Sequence, residues 1–168
     1  MSIARGLVYL HTFVPTIIHR DLKSRNALPD SKKGTKLIDF GTSREEVDTD
    51  MNCGIGTFQW MAPEVIVGTE YTIAAGIYSF GAVFEPKHYF LTNHSVLYSD
   101  AKNPSTGRLY PQQSIMTMVT VGEIRPKFNY HDTLTWVHEF GKQCMASNSL
   151  DRPTTLSITA ILQRVKTE

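Results

Sequence analysis

The run His19-Arg20-Asp21-Leu22-Lys23-Ser24-Arg25-Asn26 sets a carboxylate, an ammonium and a carboxamide on one short loop. A second carboxylate, Asp39, follows another short apolar run, and Gly41 lets the chain turn sharply away just after it. Oxygen donors that can converge from two loops, Asn26 and Asp39, suit Mg²⁺, a hard cation held by few protein ligands and by substrate phosphates. An Asp beside a Lys, here Asp21 and Lys23, suits transfer of a phosphoryl group to a hydroxyl. The carboxylate orients the hydroxyl and accepts its proton, and the cation offsets charge on the group in flight.

Such residues need elements to hold them. Ile3, Leu7, Leu10 and Val14 recur at intervals of three and four and predict a helix closed by Pro15. Ile17-Ile18 and Leu37-Ile38 predict brief strands, each leading into a charged cluster. From Thr42 to Gly56 the polar composition predicts a loop. Ala74 to Phe84 is apolar nearly all round and predicts a buried helix ending before Pro86. Residues 86–111 read as an irregular connection. Three helices follow: one striped by Ile115, Met118, Val119 and Gly122, one by Leu134, Val137, Phe140 and Cys144, and a last one capped by Thr154 with Ile158, Ile161, Leu162 and Val165 along one side. The expected fold is mainly α (α+β), with short hairpins carrying the catalytic and metal-binding loops.

Composition narrows the class without naming the chemistry. Seventeen Lys and Arg against sixteen Asp and Glu give a net charge of +1, which argues against a nucleic-acid footprint. No run approaches the roughly 20 apolar residues of a membrane helix. Two cysteines, Cys53 and Cys144, are too few for a disulfide framework, so the expected setting is intracellular and cytoplasmic. Cys144 falls on an apolar stripe and reads as core, and the histidines show no metal-ligand spacing.

The octet, then Asp39-Phe40-Gly41, then Ala62-Pro63-Glu64, are collinear signatures of one family. The chain resembles the C-terminal lobe of a eukaryotic protein kinase. Lys23, Ser24, Thr57 and Trp60-Met61-Ala62-Pro63-Glu64 resemble the tyrosine-kinase-like group of Ser/Thr kinases. The resemblance runs from Ile3 to about Val165. It implies Asp21 as catalytic base, Lys23 as the γ-phosphate contact, Asn26 and Asp39 as Mg²⁺ ligands, and Leu28 as a floor under adenine. It implies that Arg20 faces an activation segment from Asp39 to Glu64, with Phe40 and Gly41 at its start. Thr49 would be its phosphosite, with Thr42 or Ser43 as lesser ones, and Thr57 would line the peptide-binding edge. Glu64 would pair with Arg152, and His19 reads as a packed structural histidine rather than a base. ATP, Mg²⁺ and a protein bearing Ser or Thr are the implied cofactors and substrate.

The chain departs from the family pattern in two ways. Eighteen residues precede His19, and they contain neither a glycine-rich phosphate loop nor a strand lysine. The expectation is therefore a partial domain over residues 1–168, without the N-terminal lobe, whose interface that lobe or a partner protein would cover. Gly76 stands where the family carries an Asp that supports the catalytic turn, and Pro29 requires an edge or distorted strand. Three readings follow: a Ser/Thr kinase catalytic fragment, a catalytically inactive pseudokinase or protein-binding module, and a gene-model piece.

Overall fold

A computed structural model describes residues 2–30, 32, 34–45, 58–68, 71–84, 97–126 and 135–167. The first helix, α1 (Ser2–His11), buries Ala4, Leu7 and Leu10 along one face. It stops short of the expected Val14, which is 97% exposed. A residue before proline is pushed out of the helical region, and Thr12 closes the helix by donating its hydroxyl to the Tyr9 carbonyl at 2.7 Å.

Two small sheets follow. Strand β1 (Ile17–Ile18) pairs antiparallel with β4 (Arg44–Glu45), Ile17 opposite Glu45 and Ile18 opposite Arg44. Residues 44–45 were expected in the polar loop. They become strand because β1 has open backbone groups to pair, a reason invisible in their own composition. Strand β2 (Ala27–Asp30) pairs antiparallel with β3 (Gly34–Leu37), with Pro29 opposite Thr35. In a two-stranded sheet both strands are edges, so Pro29 is tolerated. Ile38, read as strand, lies just beyond β3.

Most of the described residues beyond the sheets are helical. A single turn, α2 (Pro63–Ile66), escaped sequence reading, since four residues show no period. Helix α3 (Ile73–Phe84) carries the fully buried Ala75, Ile77, Tyr78, Phe80 and Ala82. Helix α4 (Gln112–Thr120) ends before the expected Gly122, whose φ of 82° makes it the left-handed cap, with Glu123 N–H bonded back to the Met118 carbonyl at 2.8 Å. Helices α5 (Thr135–Cys144) and α6 (Thr155–Thr167) are the last among the described residues. Thr154 caps α6 by accepting the Ser157 N–H at 3.2 Å. Described residues of 97–111 are irregular, with one bridge between Lys102 and Leu109.

The main core gathers α1, α3, α5 and α6 around Leu7, Ile77, Phe80, Phe140, Cys144 and Ile158. Burial pushes the Cys144 thiol up to about 12, so it packs as a small apolar group. A second cluster joins Phe58, Tyr98, Ile115 and Val119. Cys53, Pro86 and Leu134 lie outside the described residues.

Helices α3 and α5 meet at Gly81. A Cβ there would stand 2.7 Å from Cys144 Cβ and 2.9 Å from Met145 Cγ. Gly81→Ala is expected to destabilise the chain by about 1–3 kcal/mol through overpacking. Gly76→Ala, whose Cβ meets nothing within 4 Å, is expected to stabilise it by about 0.8–1.0 kcal/mol through helix propensity. Urea unfolding of the two variants tests both signs.

Candidate active site

The site is built where the turn after β1 meets the exit of β3. His19 is 2% exposed; its Nε2 lies 3.1 Å from the Ile38 carbonyl, and its ring packs tilted on Phe40 with centroids 4.9 Å apart. A carbonyl only accepts, so Nε2 carries the hydrogen. Arg20 then adopts φ 64°, a left-handed conformation that costs a non-glycine residue about 1–2 kcal/mol. That bend delivers Asp21.

Asn26 is 3% exposed and ties the parts together. Its amide nitrogen donates to Asp21 Oδ2 and to the Asp21 carbonyl, both at 2.9 Å. Its backbone N–H closes the turn onto the Lys23 carbonyl, and its own carbonyl accepts the Ile38 N–H, each at 3.0 Å. Asp39 follows directly, itself left-handed at φ 63°. Lys23 Nζ lies 2.6 Å from Asp21 Oδ2. The structure thus brings Asp21, Lys23 and Asn26 into contact and sets Asp39 one residue past the Asn26–Ile38 link.

The donor set fits a hard cation. Asn26 spends its nitrogen on Asp21, which leaves its amide oxygen without a protein donor among the described residues. Asp39 is exposed, and its Oδ1 receives only a long contact of 3.4 Å from the Gly41 N–H. Among the described residues no group of three or more His, Cys, Asp or Glu converges, so these two side chains would hold Mg²⁺ together with substrate phosphates. Leu28 on β2 and Phe40 beside His19 are each 48% exposed. Thr49 and Thr57 lie outside the described residues.

Away from this junction, Glu64 on α2 meets Arg152. Nη1 and Nη2 donate to Oε1 and Oε2 at 2.5 and 2.8 Å, a bidentate pair. The remaining N–H groups of Arg152 reach the carbonyls of Ala74 at 2.9 Å, Ala146 at 2.9 Å and Ser147 at 3.4 Å. The guanidinium also sits 5.2 Å from the Tyr78 ring centroid. Arg125 was not singled out from sequence. It lies 5.8 Å from the same centroid and binds the Val119 and Ile124 carbonyls at 2.6 and 2.8 Å. A lone arginine outside any motif offers no signal.

Residues 1–164 match the family model for the protein kinase domain. The chain belongs to the protein kinase family. It is 33% identical, over 98% of its length, to RGS domain-containing serine/threonine-protein kinase A of Dictyostelium discoideum. It is 34% identical over 98% to serine/threonine/tyrosine-protein kinase HT1 of Arabidopsis thaliana, and 43% identical over 49% to serine/threonine-protein kinase CTR1 of the same plant. These relatives are Ser/Thr kinases of the tyrosine-kinase-like kind. The chain spans 13%, 38% and 10% of their respective lengths.

Two expectations follow. Arg152→Met removes the guanidinium from its bidentate pair with Glu64 and is expected to cost about 3–5 kcal/mol, read by urea unfolding. Burial lowers both His11 and His19, for His19 against the raising influence of the Ile38 carbonyl and the Asp21 and Asp39 charges. Because the folded values lie below 6.5, the unfolded chain takes up protons first on acidification. Stability is therefore full above about pH 7 and is lost as pH falls through the ordinary histidine range. A melting-temperature series from about pH 7.5 to 5.5 should show this fall, and His11→Gln should reduce it.

Proposed function

We propose that residues 1–168 form the C-terminal helical lobe of a Ser/Thr protein kinase domain, which in its intact protein transfers the γ-phosphoryl group of ATP to Ser or Thr hydroxyls of a protein substrate. The observation that carries this reading is the Asn26 junction, where one buried side chain holds Asp21 at 2.9 Å while the same residue's carbonyl holds Ile38 at 3.0 Å. That junction links a base on one loop to a metal donor on the next.

The roles follow from which atoms remain open. Asp21 Oδ2 is occupied by Asn26 and Lys23, so Oδ1 faces the acceptor hydroxyl, holds it and takes its proton. The oxygen of that hydroxyl bonds to the γ-phosphorus as the bond to the leaving ADP oxygen breaks. Lys23, close to the reacting carboxylate, offsets the negative charge of the phosphoryl oxygens. Asn26 and Asp39 would hold Mg²⁺, which when bound neutralises charge on the phosphates. Arg20 would pair with a phosphate on the segment that follows Asp39, and Leu28 would lie under the adenine. An intracellular, cytoplasmic setting belongs to the same reading; no helix among the described residues is long and apolar enough to cross a membrane.

A second reading, a non-catalytic docking module, is favoured by Gly76. It supplies no acceptor to the catalytic turn, and a Cβ built there meets nothing within 4 Å.

Mg²⁺-dependent ATP binding distinguishes the two. The catalytic reading expects weak binding that requires Mg²⁺ and falls at least about tenfold in Asp39→Ala, a loss of about 1.4 kcal/mol. In the intact protein, Asp21→Asn is expected to lower phosphoryl transfer by about 10²–10⁴-fold. Unchanged transfer in Asp21→Asn would exclude it as the base.

A further inference from the structure

Residues 38 to 43 grip one histidine from several directions. The Ile38 carbonyl takes the His19 ring nitrogen at 3.1 Å, and Phe40 packs on that ring. On the other side of the same residue, Thr42 Oγ1 and Ser43 Oγ both donate to the His19 carbonyl oxygen, each at 3.3 Å. A tight turn aims them there, for the Ser43 N–H bonds back to the Phe40 carbonyl at 3.0 Å. Two hydroxyls converge on one acceptor although Thr42 is exposed and could bond to water instead.

That acceptor is not an arbitrary carbonyl. It belongs to the peptide joining His19 to Arg20, and Arg20 has φ 64°. A non-glycine residue in that conformation relaxes by rotating the preceding peptide unless something holds it. Rotation would swing the His19 oxygen away from both hydroxyls and move Asp21, one residue past the bend.

We propose that Thr42 and Ser43 are positioning residues. Their hydroxyls lock the His19–Arg20 peptide, so that the segment leaving Asp39 dictates where Asp21 stands. The catalytic meaning rests on the reading above; the mechanical claim does not. It also means that the two halves of the cleft move together: any event that straightens the 40–43 turn releases the carboxylate on the neighbouring loop.

Hydrogen exchange on the 168-residue chain tests it. In Thr42→Val/Ser43→Ala, exchange at the Asn26 and Ile38 amides is expected to accelerate at least fivefold, while α3 amides stay unchanged. Thr42→Ser/Ser43→Thr keeps both hydroxyls and should retain the protection. Mg²⁺-ATP binding should weaken at least threefold in the first variant and recover in the second. Unaltered exchange at Asn26 and Ile38, or acceleration shared equally by α3, overturns the proposal. If the double variant does not fold, Thr42→Val alone, at an exposed position, gives the same readout at smaller amplitude. A wild-type chain that binds no Mg²⁺-nucleotide would defeat the functional reading, and the exchange comparison would still decide this one.

Discussion

The buried Asn26 is the constraint on which the junction of the two loops depends. Asn26 is 3% exposed, and its amide nitrogen finds its acceptors within the protein by donating twice to a single residue, Asp21. Its backbone works in parallel, closing the loop behind it and accepting from the far hairpin. Of these four bonds, three shape the loop from Asp21 to Asn26 and one, from the Ile38 N–H to the Asn26 carbonyl, ties that loop to the next. An apolar residue of equal size would keep the packing and the backbone link to Ile38 and lose the hold on Asp21.

The helical base has a comparable anchor of different chemistry. The side chain of Arg152 is wholly buried, and its five N–H groups are divided between a carboxylate and three backbone carbonyls. This arrangement draws α2, α3 and the turn before α6 to one point. Ser79 adds a tie of the same sort, its hydroxyl reaching the Trp60 carbonyl at 2.8 Å while meeting the Tyr71 hydroxyl at 3.1 Å. The anchors divide the labour: one aligns the cleft, the other secures the segment that returns from it to the core.

Much of this was legible in the residue order. Helices α1, α3, α4, α5 and α6 show their apolar faces through spacing, and errors at their ends trace to local backbone chemistry: proline after Val14, a left-handed glycine at 122. What stayed hidden is relational. Nothing in Arg44-Glu45 signals a strand, because the reason for pairing lies in β1. Motif spelling placed Asp21, Lys23, Asn26 and Asp39 in a shared neighbourhood, yet not that Lys23 and Asn26 converge on the same oxygen of Asp21. Thr42 and Ser43 read from sequence as lesser phosphosites, and nothing in their spacing signals that both hydroxyls donate to the His19 carbonyl. Arg125 carried no pattern at all.

The dependence on one amide nitrogen has a chemical corollary. Hydrolysis to a carboxylate would replace a nitrogen that donates twice with an oxygen that cannot, 2.9 Å from another acid. A molecule so altered would keep the backbone bond from Ile38 to residue 26 and lose the side chain's grip on Asp21, with the Lys23 ammonium 2.6 Å away left to offset the added charge.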